Sequence, residues 1–510
     1  MKTVFVVALC AMAVRVFADV SLLDQERFVR ASEDADSVVW GTNEDGSRNV
    51  TLIQNGPREV SIESSIDLSA YAGRDIEFVI VADGENVVRG EVDGAPRPFA
   101  PLMTHFEVRC GEWATYRRHE VAGAFPEGTF RNREIVVPFL MPTYGFAFGL
   151  HLFSNCESGK ILVKKFSIRE AGPYLDRYFR IPDGFRCEYS EEVLRVFQDP
   201  HKLRGIVAGQ DFGEADYVKM RGWGANLIRF WCDPNRLEKT DALLPIVAEL
   251  GFKVILAPIC PGGKGNRNGY ALFNDERLHD EYLAGLKKLA GHYKGDSRIF
   301  AIGLMNEPFQ ELRKGAEDQY FFLNVQYEAA QAIREADPTR VLVASASGGG
   351  SPEDYRLGAM RPLPMKDVLY EMHFYYPMFC THLGLYGNRP GPDVKYPGGR
   401  KRGTTWTRET LRECMARMDD FEKTYGAKIF VGEFSCMNWC PGAAQWLDDV
   451  CGLLEERGYI WTYHDYGEYP GWNLEYRSDC PCNAPVKLKP GETGDRLEVL
   501  KKHWAKNAVE

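Results

Sequence analysis

Two short stretches of the chain each end an apolar run on a glutamate. Ile299-Phe300-Ala301-Ile302-Gly303-Leu304-Met305-Asn306-Glu307-Pro308 is apolar and of strand length until an amide, a carboxylate and a proline stop it. Lys428-Ile429-Phe430-Val431-Gly432-Glu433-Phe434 has the same form. A continuous apolar run marks a strand buried on both faces, as in a parallel sheet covered by helices. The carboxyl ends of such strands are where parallel α/β sheets and barrels carry their chemistry. Two carboxylates placed there suit proton transfer and nucleophilic attack as a pair. Glycoside hydrolysis uses that pair, one group protonating the departing oxygen while the other attacks or activates water. Either glutamate alone reads equally well as a helix cap or a surface charge, so the weight falls on their company.

That company sits at other strand ends. Gly224-Ala225-Asn226-Leu227-Ile228-Arg229 finishes on an arginine able to hold a carboxylate ionised through a charge-assisted bond. Met372-His373-Phe374-Tyr375 puts an imidazole and a phenol on one face of an extended segment. A later strand carries Trp461, Tyr463 and His464. The bland alternatives are a surface salt bridge for Arg229 and a satisfied core histidine for His373.

The elements that must position these residues follow from hydrophobic pattern. Strands are expected at Leu203 to Ala208, Ala225 to Phe230, Phe252 to Pro258, Ile299 to Met305, Arg340 to Ala346, Val368 to His373, Ile429 to Glu433 and Tyr459 to Tyr463. Amphipathic segments lie between them, as in Asp280 to Tyr293, where Tyr282, Leu286, Leu289 and Tyr293 share a helical face. Glu317 to Glu335 and Arg408 to Tyr425 behave alike. Eight strand and helix units in about 300 residues, with no Gly-rich phosphate loop after the first strand, fit a (β/α)8 TIM barrel better than an open sheet.

With these residues in place, the chain from about Leu203 to Gly467 resembles glycoside hydrolase family 5, the retaining cellulase and mannanase family. The resemblance rests on the Asn306-Glu307-Pro308 and Gly432-Glu433 motifs together, and His292-Tyr293-Lys294-Gly295-Asp296 before strand four also looks like the family. It implies Glu307 as acid/base, Glu433 as nucleophile and Asn306 as a partner of the sugar 2-hydroxyl. Arg229 and Tyr375 would lie near Glu433, with His373, Trp461 and His464 lining the substrate site. Two departures bear on substrate identity. Members commonly carry a histidine after strand three, where this chain reads Leu256-Ala257-Pro258-Ile259-Cys260-Pro261-Gly262-Gly263. The usual platform tryptophan after strand eight is replaced by His464, leaving Trp472 or Trp461 to stack on sugar. Pro377-Met378-Phe379-Cys380-Thr381-His382 offers a further polar contact.

Upstream, residues 19–171 read as short strands divided by Gly, Pro, Asn and Asp, among them Asp75 to Val81, Met103 to Val108, Glu134 to Val137, Phe146 to Phe153 and Lys160 to Ile168. Regularly spaced short strands argue for an all-β sandwich. Asp67-Leu68-Ser69-Ala70-Tyr71-Ala72-Gly73-Arg74 and Gly159-Lys160-Ile161-Leu162-Val163 are similar to jelly-roll carbohydrate-binding modules. Trp40, Trp113 and Tyr116 are either sugar platforms or, by the commoner outcome, core. A connector, 172–202, joins this domain to a catalytic domain at 203–510.

Composition sets the outer bounds. With 45% hydrophobic and 26% charged residues, the chain can bury large cores without help from metals, and no metal or organic cofactor is expected. A formal net charge of -10, without a Lys/Arg cluster interleaved with aromatics, argues against nucleic acid and polyanionic substrates. Residues 1–18 read as a secretory signal, with one basic residue, a short apolar segment and Val16-Phe17-Ala18 at the cleavage point. No later stretch reaches the ~18 apolar residues of a membrane span. A secreted monomer, extracellular or periplasmic, is expected to act on a β-linked polysaccharide or oligosaccharide. Thirteen cysteines become twelve without Cys10, an even number suited to a disulfide-permissive compartment. The competing functions are a carbohydrate-binding protein that has lost catalysis and a transglycosylase.

Overall fold

A computed structural model describes residues 20–507 with breaks, those of four residues or more at 24–27, 31–35, 67–70, 97–102, 121–125, 141–146, 171–177, 262–269, 309–320 and 356–359. The signal-peptide reading lies outside the described residues, as do Trp113 and the side chain of Tyr116. The chain divides into two compact units, Met1–Tyr174 and Leu175–Glu510.

The first unit holds two main antiparallel sheets. One runs in the order Gly128–Leu140, Asp75–Val88, Ser158–Glu170, Arg48–Asn55, Val38–Thr42, with Val20–Ser21 also paired to Ser158–Glu170. The other runs Ala114–Glu120, Met103–Cys110, Ala147–Ser154, Val60–Ile66, Phe28–Arg30. Alternate residues of both sheets, including Val50, Leu52, Phe78 and Ile80 from the first and Ile62 and Leu152 from the second, meet in one buried cluster. Where register slips between Val163 and Lys165, the inward set changes phase and Phe166 and Ile168 enter the same cluster. Trp40 is partly buried against that core, with the Arg48 guanidinium 4.6 Å above its ring.

The second unit is built on a closed barrel of eight parallel strands. They are β1 (Arg204–Ala208), β2 (Leu227–Cys232), β3 (Lys253–Pro258), β4 (Ile299–Gly303), β5 (Val341–Ser345), β6 (Val368–Phe374), β7 (Lys428–Phe434) and β8 (Ile460–Tyr466). All eight expected strands are present. Helices α1 (Glu214–Gly222), α2 (Glu238–Glu249), α3 (Glu276–His292), α4 (Phe322–Ala336), α5 (Arg408–Tyr425), α6 (Ala443–Glu456) and α7 (Asp495–Trp504) follow β1, β2, β3, β4, β6, β7 and β8. Between β5 and β6 the described residues form only the 3-10 turn Pro352–Tyr355. Tyr355 and Tyr370 pack edge-on to Phe421 of α5 at 5.2 and 5.1 Å, so α5 covers the wall there.

The strands begin on a layer of apolar side chains. Leu227, Ile255, Ala301, Val341, Leu369, Phe430 and Ile460 form one buried cluster with Val193 of the helix Glu191–Gln198, which therefore closes the amino-terminal end of the barrel. Ser190 caps that helix by accepting from the Val193 amide, as an N-cap serine should. Functional polar groups are left to the other end. Among the described residues, Cys187, Cys232, Cys260, Cys414, Cys436, Cys440, Cys451, Cys480 and Cys482 form no disulfide. No helix among the described residues is long and apolar enough to cross a membrane.

Candidate active site

Strand alternation decides which side chains enter the barrel. In β2 the inward series is Leu227, Arg229, Trp231, and in β6 it is Leu369, Glu371, His373. In β7, Phe430 points inward with the apolar layer, so strict alternation would turn Glu433 outward. A register shift prevents this: Met372 pairs with Val431 while His373 pairs with Glu433, leaving Gly432 as the extra residue of a bulge. Glu433 is thereby re-aimed into the barrel.

Arg229 is buried and reaches three acceptors. Its Nη1 donates to Glu433 Oε1 at 3.0 Å, its Nη2 donates to Asn306 Oδ1 at 2.7 Å, and its Nε lies 2.9 Å from Glu371 Oε1. The arginine fixes the Asn306 amide with its nitrogen available to donate. Tyr375 donates its hydroxyl to Glu433 Oε2 at 2.8 Å. His373 Nδ1 lies 2.8 Å from Glu307 Oε1 and 3.7 Å from Glu433 Oε2. One oxygen each from Glu307 and Glu433 and a His373 ring nitrogen all fall within 4.8 Å of one another. Glu307 adopts a positive φ of 41°, an uncommon conformation for a non-glycine residue that such clustering of contacts can hold in place.

The charges support each other. Burial alone would raise the Glu433 carboxyl, but His373, His464, Arg229 and the Tyr375 hydroxyl outweigh it and hold the group at about 2. Burial also disfavours an imidazolium at His373, yet Glu433, Glu307 and Glu371 push it up to about 10. At His464 burial is again outweighed, by Glu433, Glu468 and Asp465, giving about 9. Glu433 is an anion held by cations and a phenol, while the Glu307 side chain remains partly open to solvent.

Above these groups lies an aromatic wall. Trp472 is half-buried, donates its Nε1 to Thr381 O at 2.9 Å, and has His464, His382 and Tyr375 at centroid distances of 5.2, 5.4 and 6.2 Å. Arg496 of α7 ties this wall down, donating to Cys436 O at 2.9 Å and Asn473 O at 2.7 Å. The loops after β1, β2 and β8 line a cavity of about 500 Å³, bounded in part by Asp211, Phe212, Trp231, Asp465 and Tyr466.

Arg229, Asn306, Glu307, His373, Tyr375 and Glu433 are thus brought together, and His464 adjoins them. Trp461 is not. Its exposure is 0%, and its ring packs on Phe434 at 5.3 Å and Trp504 of α7 at 6.3 Å. The reason is again alternation, since Thr462 and His464 take the inward face of β8 and Trp461 the outward one. Its expected place on the substrate is therefore corrected to the layer between barrel and helices. Sequence reasoning missed Glu371, Trp231 and Arg496. The first two had a signal, lying two residues from His373 and Arg229 on the same strand faces.

A family model described as cellulase (glycosyl hydrolase family 5) matches residues 214–470, half of the chain. The chain belongs to glycosyl hydrolase family 5. Every carboxylate, imidazole and guanidinium of the central cluster falls within the matched residues. Among curated relatives, the chain is similar to endoglucanase C of Acetivibrio thermocellus and endoglucanase C307 of a Clostridium species. Each is 24% identical over 219 residues, covering 38% of this chain and 62% of the relative. The chain thus spans 62% of the length of these relatives. Among solved structures it is similar to a glycoside hydrolase at 22% identity and a TM-score of 0.48, covering 59% of this chain and 98% of the other. Endoglucanase Cel5A from the hyperthermophilic Thermotoga maritima is 18% identical with a TM-score of 0.47, covering 60% and 99%.

Proposed function

We propose that the barrel is a retaining β-glycosidase acting on a β-linked glucan, mannan or their oligosaccharides by double displacement. The observation that carries this reading is the approach of Glu307 and Glu433, whose nearest oxygens lie within 4.8 Å. That fits the separation of about 5–5.5 Å used for retention better than the roughly 6.5–9.5 Å that leaves room for a water in inversion. Glu433, ionised and oriented by Arg229 and Tyr375, attacks the anomeric carbon. Glu307 gives its proton to the departing glycosidic oxygen. Water then enters, loses a proton to Glu307, and attacks the same carbon, releasing Glu433 and a sugar of unchanged anomeric configuration. Asn306 donates to the 2-hydroxyl, and Trp472 with His464 forms the wall against which a sugar ring stacks. The cavity beside Trp231 takes part of the glycone. No metal or organic cofactor is needed for these steps.

The anomer released first from a β-linked oligosaccharide, followed by proton NMR, tests this reading. A β-product is expected, and initial α-product overturns it. Transglycosylation shares every step except the acceptor, and appears as longer products at high oligosaccharide concentration. A binding protein without catalysis gives no products at all.

We further propose that residues 1–18 are a secretory signal, so that a monomer starting at Asp19 acts outside the cytoplasm. Residues 19–171 form a jelly-roll-like sandwich of the carbohydrate-binding kind, and 203–510 carry catalysis. Two sheets sharing one apolar core support the sandwich reading. Amino-terminal sequencing of the exported protein and pull-down of the full chain with insoluble glucan or mannan test these assignments.

A further inference from the structure

Beneath the two glutamates lies a third carboxylate, itself buried, to which the double displacement assigns no task. Glu371 is 2% exposed and sits at the middle of β6. Its Oε1 is 2.9 Å from Arg229 Nε and 3.3 Å from His373 Nε2. Glu371 Oε1 and His373 Nε2 complete no hydrogen bond, so these contacts are ionic more than directional. Space for the carboxylate comes from Gly432, where a Cβ would stand 1.8 Å from the same oxygen.

These contacts link the two halves of the site. Arg229 grips Glu433 and Asn306, and His373 grips Glu307. The groups facing His373 are Glu307 from the end of β4, Glu371 on its own strand and Glu433 from β7, with Arg229 of β2 reached through Glu371. Arg229, a protonated His373 and the nearby His464 bring positive charge to Glu433, whose own negative charge is consumed when it attacks. A second buried anion balances them without being spent in the reaction. A buried charge left without its partner is costly, so the cluster has reason to keep that anion.

We propose that Glu371 is a positioning residue that clamps Arg229 and His373 and through them sets the geometry and charge of both glutamates. Without it, Arg229 has only Glu433 as a carboxylate partner and holds the nucleophile more tightly in its resting state. His373 also loses an anion that keeps it an imidazolium. The inference rests on the retaining reading above.

The test compares Glu371→Gln and Glu371→Asp with the parent full-length chain. A 2-deoxy-2-fluoro β-glycoside, which traps the nucleophile covalently, counts competent sites, so kcat is expressed per site and misfolded protein drops out. For Glu371→Gln, kcat per site is expected to fall between about ten- and a hundredfold with KM little changed, the scale expected when one buried charge that orients both reacting groups is neutralised. The imidazole 15N signals of His373 should remain those of an imidazolium above pH 8 in the parent and titrate at lower pH in Glu371→Gln. Glu371→Asp should keep the imidazolium signature and recover part of kcat. Unchanged kcat per site in Glu371→Gln, or an unmoved His373 titration, overturns the clamp. If the fluoro-glycoside fails to label the parent, the retaining reading fails, and the His373 titration still decides whether Glu371 holds that imidazole.

Discussion

Gly432 and Glu371 occupy one space: a Cβ on the glycine would lie 1.8 Å from the glutamate's Oε1. The glycine is also the bulge residue that turns Glu433 inward. Gly432→Ala should therefore displace a buried carboxylate and tighten the bulge together. Overpacking of this kind costs about 1–3 kcal/mol of stability. Activity should fall further, since both Arg229 and Glu433 must shift. Thermal melting and kcat/KM measured on the same preparation check this, and an active, stable Gly432→Ala variant would mean that Glu371 yields without cost.

The two tryptophans considered for sugar stacking should part on mutation. Trp461→Ala opens a cavity between barrel and helices and should cost about 3–5 kcal/mol of stability. Trp472→Ala removes the half-buried wall beside His464 and Tyr375, and should raise KM for oligosaccharides while leaving the melting temperature much less affected. Denaturant unfolding and Michaelis kinetics on both variants separate the roles. A larger rise in KM for Trp461→Ala would contradict the placement of Trp461 outside the barrel.

Much of this site was legible because its parts obey period-two alternation from recognisable strands. Arg229, His373 and Tyr375 fall where an inward face predicts them. Trp461 went astray for the same reason: it lies one residue from Thr462 and so takes the opposite face, a distinction that needs the phase of β8. Glu433 reaches the site only through the bulge at Gly432, and an extra residue in one strand leaves no mark in hydrophobic pattern. Arg496 was invisible because it works from α7, far along the chain, through backbone carbonyls that any sequence supplies. In the helical layer, the described residues between β5 and β6 hold only a 3-10 turn and α5 packs over the wall there, an arrangement that only tertiary packing reveals.

The charge state of His464 gives a pH signature. Its folded value, raised to about 9 from an ordinary 6.5 by Glu433, Glu468 and Asp465 against the effect of burial, means that the protonated ring favours the folded state. This contribution is complete below about pH 6.5 and is lost as pH rises through about 9. His464→Asn should thus lower the melting temperature most at pH 6 and below, with the difference from the parent shrinking toward zero above pH 9. A difference that grows with pH would show that His464 is buried neutral.

The roles of Glu307 and Glu433 are separated most directly by azide. Glu307→Ala, given a β-glycoside whose leaving group needs no proton, should form the glycosyl-enzyme on Glu433 and stall until azide attacks, giving the β-glycosyl azide. Glu433→Ala should give the α-glycosyl azide, because azide then replaces the nucleophile itself. NMR of the two azides reads the outcome. β from Glu307→Ala and α from Glu433→Ala is the result expected, and the reverse pairing, or full activity in either variant without azide, contradicts the assignment of the two glutamates.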